Sequence, residues 1–91
     1  MKPLVVINHR VHADAIELLL SLCDVALVTT RTACPRQELK QLARNAHALL
    51  AAAPERIDES LLVGCHRLRI VACTFRIAKH IDVGACTRRG I

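Results

Sequence analysis

The sequence predicts an α/β protein: a flavodoxin-like or Rossmann-like parallel sheet flanked by helices, about four βα units long. Two features carry that prediction. Four short apolar runs recur along the 91 residues, and amphipathic helical spacings alternate with them. The length allows one domain, residues 1–91, and a hydrophobic share of 53% makes it globular.

The apolar runs are LVVI (4–7), VALVT (25–29), HALLAA (47–52) and LRIVACTF (68–75). They are short, partly β-branched and nearly continuous, as strands buried on both faces of a parallel sheet are. Ile16, Leu19, Leu20 and Cys23 space one helical stripe, and Leu39, Leu42, Ala43 and Ala46 a second. Pro35 suits the first turn of the second helix, where its missing N–H costs nothing. Asp58 is placed to cap a short third helix that carries Leu61 and Leu62 and ends near Gly64. Asp82 is placed to cap a fourth helix over 83–89, with Arg88 and Arg89 at its negative end, Gly90 stopping it and Ile91 opening a fifth strand. The order β-α-β-α-β-α-β-α-(β) implies right-handed crossovers, with ligands bound at the carboxyl ends of the strands.

Composition narrows the function. The net charge of +5 is mildly basic, but Phe75 is the only aromatic, so the chain lacks the stacking platform of a nucleic-acid binder. No apolar run nears the roughly 18 residues of a membrane span, and the first residues do not read as a signal peptide. Cysteines 23, 34, 65, 73 and 86 form no CxxC pair, so the expectation is free, buried thiols in a reducing cytoplasm. His9 and His12 stand three apart but have no third partner at ligand spacing, and no metal site is expected.

The strand ends hold the candidate site. Arg76 and Lys79 follow the longest apolar run, where a guanidinium can grip an oxyanion with two parallel bonds. A solvated basic loop is an equally economical reading. His9 or Arg10 could face a cleft after the first strand, but capping by Asn8 and ordinary surface residues is favoured there. The only glycines are 64, 84 and 90, so no GxGxxG or GxxxxGK loop exists. The chain therefore offers no cofactor site and no complete catalytic set.

The stretches LVVINHRVHADAIELLLSLCDV, APERIDESLL, LRIVACTFR and IDVGACTRRGI together resemble the N-terminal region of NAD-dependent D-2-hydroxyacid dehydrogenases. The phosphonate (phosphite) dehydrogenases are the most similar members. The resemblance implies the first quarter of a two-domain enzyme, most of its substrate-binding domain. Later segments would carry the Rossmann fingerprint and the catalytic Arg, Glu and His, then return to complete the first domain. Arg76 falls at a substrate-contacting lysine, Ile77 at a glycine, and Ala53 where the phosphite enzymes have a larger side chain. Lys79 and His80 replace an Asp-Asn pair, and Asp82 is retained. The implied substrate is a small anion, a 2-hydroxy acid or phosphite, with NAD as the cofactor of the intact enzyme and none held by this chain. An open sheet edge implies self-association. Two alternatives remain: a stand-alone flavodoxin-like binding module, and a gene remnant without function.

Overall fold

The computed structural model describes residues 2–9, 11–27, 36–51, 56–73 and 79–91. The order is β1 (Leu4–Ile7), α1 (Ala13–Leu20), β2 (Asp24–Leu27), α2 (Arg36–Ala43), β3 (Ala48–Ala51), α3 (Glu59–Leu62), β4 (Ile70–Cys73) and α4 (Val83–Arg88). All strand pairs are parallel, in the spatial order β2-β1-β3-β4. This is the expected fold class.

β1 coincides with its apolar run, and β3 and β4 begin one and two residues later than theirs. His47 and Leu68 lie just outside the ladders, where each has a different task. The His47 N–H donates to Leu4 O (2.8 Å), its carbonyl accepts from Arg69 N (2.8 Å), and its Nδ1 accepts from Leu4 N (3.0 Å). That residue stitches together the starts of β1, β3 and β4. Leu68 is buried in the core.

Reversing direction at β1 decides which face each helix covers. The β1→β2 connection runs one way across the sheet, and β2→β3 and β3→β4 run the other. Right-handed crossovers then put α1 on one face and α2 and α3 on the opposite one. Val6, Leu49 and Ala51 point to the α2/α3 face and join Leu39, Ala43, Ala46, Ile57, Leu61, Leu62, Ala85 and Cys86 in a single buried cluster. Register partners share a face, so Val5, Ile7, Val25, Leu27, Leu50 and Ile70 point the other way. Among the described helices only α1 lies on that side. Val5 and Ile7 are buried, but Ile70 is 56% exposed.

The predicted stripe of α1 is accordingly not a core stripe. No residue of α1 is buried, Leu20 is exposed, and Leu18 and Leu22 are 67% and 68% exposed. The whole chain exposes 6075 Å², about 800 Å² more than expected of a monomer of its mass. The stripe of α2 is buried as predicted through Leu39, Ala43 and Ala46. Pro35 and Cys34 lie outside the described residues.

Caps explain the helix ends. The start of α1 corrects the expectation for Asn8: the cap is His12, whose Nδ1 accepts from the Asp14 N–H (3.1 Å). Asn8 stands four positions too early, and its amide oxygen instead meets His9. Asp58 and Asp82 cap α3 and α4 as expected, accepting from Leu61 N (3.2 Å) and Ala85 N (3.0 Å). Gly90 sits at φ +71°, a conformation only glycine adopts cheaply. Its N–H donates to Thr87 O (3.1 Å), and the Ile91 N–H donates to Cys86 O (2.9 Å). Ile91 thus closes the end of α4 and packs against the core. Arg88 and Arg89 were expected to serve the helix dipole; both also pair with Glu59 at the start of α3.

Arg36 joins α2 to the α3 cap. It pairs with Asp58 and donates to Arg56 O (2.8 Å) and Ser60 Oγ (3.1 Å). Partial burial works to raise the Asp58 pKa, but the Leu61 N–H and the Arg36 guanidinium outweigh it and hold the carboxyl below its usual range. A depressed folded pKa contributes stability above the unfolded value, about pH 4, and loses it as pH falls through the folded value. Thermal melts followed by circular dichroism should therefore be level from neutral pH to about pH 5 and fall below about pH 4. Asp58→Asn should flatten that fall; an unchanged acid slope would contradict the assignment.

Candidate functional site

In a sheet ordered 2-1-3-4, the connections leave β1 and β3 in opposite directions, so their carboxyl ends form the topological switch point at which such sheets bind ligands. Asn8 and His9 occupy the β1 side of it. The Asn8 N–H donates to Leu50 O (3.4 Å), continuing the β1–β3 ladder past the strand. Beneath Asn8 lie Val6, Leu39, Leu49, Leu50, Ala51 and Ile57, an apolar floor.

His9 Nδ1 lies 3.1 Å from Asn8 Oδ1. An amide oxygen only accepts, so Nδ1 carries the proton and Nε2 is the basic nitrogen. Burial lowers the His9 pKa, so the ring is neutral at physiological pH and acts as a polar group without fixed charge.

On the β3 side of the switch point, Ala51 and Cys73 are register partners at the ends of β3 and β4. Further along the chain, Ile57 and Ile81 form a parallel bridge. Ile57 N donates to His80 O and Asp82 N to Ile57 O, each at 2.8 Å. In the sequence, segments 52–55 and 74–78 lie between these pairs. Ala53, Arg76 and Ile77, the substrate-contact residues expected from sequence, lie within them and outside the described residues, as does Arg10. Of the stretch that departs from the family's Asp-Asn-acid pattern, Lys79 is exposed, His80 is half-buried, and Asp82 caps α4.

The structure also shows a pair that no sequence spacing announced. Cys73 Sγ lies 3.8 Å from His80 Nε2. The two are seven residues apart, and His80, next to the Ile57–Ile81 bridge, accepts at its carbonyl from the Ile57 N–H. Cys65 and Cys86 are buried free thiols, as expected, and burial raises both pKa values. Cys23 and Cys73 are only half-buried. Among the described residues no three metal-ligating side chains come together, and no helix is long and apolar enough to cross a membrane.

Residues 5–91 match the family described as "D-isomer specific 2-hydroxyacid dehydrogenase, catalytic domain". Glyoxylate reductase of Pyrococcus furiosus is 34% identical over 91 residues, and glyoxylate reductase of Aeropyrum pernix 38% identical over 90 residues. The alignments cover 100% and 99% of this chain but 27% of each relative. Among solved structures, the TT0316 protein of Thermus thermophilus superposes with a TM-score of 0.89 at 24% identity, over 97% of this chain and 28% of that one. At that identity the superposition speaks for the fold alone.

Proposed function

Because the chain belongs to the D-isomer specific 2-hydroxyacid dehydrogenase family, we propose that it forms the substrate side of an NAD-dependent oxidoreductase acting on a small 2-hydroxy or 2-oxo acid. The observation that carries this reading is the switch point between β1 and β3, where the strand order 2-1-3-4 reverses direction. Family membership supports the reaction class, and the names of the two relatives support a 2-oxo acid such as glyoxylate. Phosphite, implied by the resemblance to phosphonate dehydrogenases, is the second substrate to be tested.

The cofactor does not fit this chain. Holding a pyrophosphate at a helix N-terminus needs close backbone approach through a glycine-rich turn. Gly64 follows α3 and faces the Arg44 side chain, Gly84 lies inside α4, and Gly90 ends it. NAD would be held by other segments of the whole enzyme. The chain spans 27% of the two relatives' length, and the activity proposed is that of a whole enzyme. Within it, this chain's residues would bind and orient the anion. Arg76 would supply the positive charge, and the neutral His9 would sit beside the reacting end.

The test is a chimera that joins this chain to the remaining segments of the Aeropyrum pernix enzyme. Reduction of glyoxylate or another 2-oxo acid is expected, and the 91-residue chain alone should give no saturable heat on titration with NAD. A folded chimera inactive on 2-oxo acids, 2-hydroxy acids and phosphite would overturn the reading.

The exposed Leu18, Leu20, Leu22 and Leu27, with a β4 edge unpaired among the described strands, also support self-association of the 91-residue chain. Sedimentation at several concentrations should show a mass that rises with concentration. A constant monomer mass would contradict it.

A further inference from the structure

We propose that Cys73 is a reactive thiol activated by His80, and that the cleft beside it takes small apolar electrophiles, α,β-unsaturated carbonyl compounds in particular. The observation is a conjunction of three features. Cys73 ends β4 and is half-buried, with its Sγ 3.8 Å from His80 Nε2, within reach of a thiol–imidazole hydrogen bond. It also lines a cleft of about 260 Å³ along the outer side of β4, whose other walls are Val71, Ile81, Val83, Cys86 and Ile91. Four of those six side chains are aliphatic, so the cleft favours an uncharged, apolar ligand, and its size suits a small one.

Cys86 shares the cleft but is not the nucleophile. It is 6% exposed, and burial together with the Asp82 carboxylate raises its thiol pKa. Cys73 has both access and a base.

The step is a conjugate addition. The thiol proton passes to His80 Nε2 as the sulfur attacks the β-carbon, forming an S–C bond. The C=C π bond breaks, and its electron pair moves onto the carbonyl as an enolate. The imidazolium returns its proton to the α-carbon. No oxidant or reductant is consumed. The inference rests on Cys73, His80 and the cleft, and stands whether or not the dehydrogenase reading does.

The test is a time course of the full 91-residue chain with limiting N-ethylmaleimide, read by peptide mass spectrometry. Cys73 should react at least about tenfold faster than the half-buried Cys23, the low end of what a positioned base contributes. His80→Ala should lower the Cys73 rate about tenfold and leave that of Cys23 unchanged, and free imidazole should restore part of the loss. A second variant does not depend on the histidine. Val83 is 64% exposed and tolerates enlargement. Val83→Trp should narrow the cleft and slow N-cyclohexylmaleimide at Cys73 far more than iodoacetamide. Cys73 labelling no faster than Cys23 in the native chain would overturn the proposal. So would a Cys73-to-Cys23 ratio unmoved by a folded His80→Ala chain, or equal slowing of both reagents by Val83→Trp.

Discussion

Arg76→Ala in the active chimera is expected to lower kcat/KM by about 30- to 1000-fold, mainly through a raised KM. A lost charge-assisted pair to a bound anion is worth roughly 2–4 kcal/mol, and that range sets the fold-change. Arg76→Lys should recover part of the loss, because the charge returns without the two-pronged geometry. The control is Arg88→Ala. The Arg88 side chain is 65% exposed on α4 and lies 3.4 Å from Glu59, so its removal should leave kinetics nearly unchanged. Exposed pairs of this kind contribute little. Steady-state kinetics on glyoxylate, other 2-oxo acids and phosphite decide the matter. An active Arg76→Ala chimera with unaltered kcat/KM would make Arg76 a solvated loop residue.

Leu62→Ala should cost about 2–5 kcal/mol, enough to leave much of the chain unfolded near body temperature. Leu62 is 0% exposed and sits among the sheet, α2 and α4 in the buried cluster. Truncation removes its transfer energy and leaves a cavity that a packed neighbourhood only partly fills. A chain of this size holds roughly 5–14 kcal/mol in total. Each kcal/mol moves the melting point of such a domain by about 4–8 °C, so a drop beyond about 10 °C is expected. Leu22→Ala should shift it little, since that side chain is 68% exposed already. Equal melting points for the two variants would mean that the cluster around Leu62 is not the stabilising core.

Sequence by itself determined the alternation, the parallel sheet and three ends of α3 and α4, because each depends on local chemistry. A β-branched apolar run has one stable use. An aspartate before a helix has an N–H within reach, as Asp58 and Asp82 show, and Gly90 takes a conformation that other residues avoid. Family membership was also legible, since it rests on residue order. The tertiary structure alone decided what each apolar stripe touches. The stripes of α1 and α2 have the same period, yet α2 is buried and α1 is not. The difference comes from the strand order, which puts α2, α3 and α4 on one face and leaves α1, among the described helices, alone on the other. Strand order follows from long-range pairing, and no window of sequence contains it. The same holds for His12, whose ring acts as a cap where a smaller polar residue is the usual choice. Cys73 and His80 meet beside the Ile57–Ile81 bridge although seven residues separate them. Contacts made through a third residue leave no spacing in the chain to read.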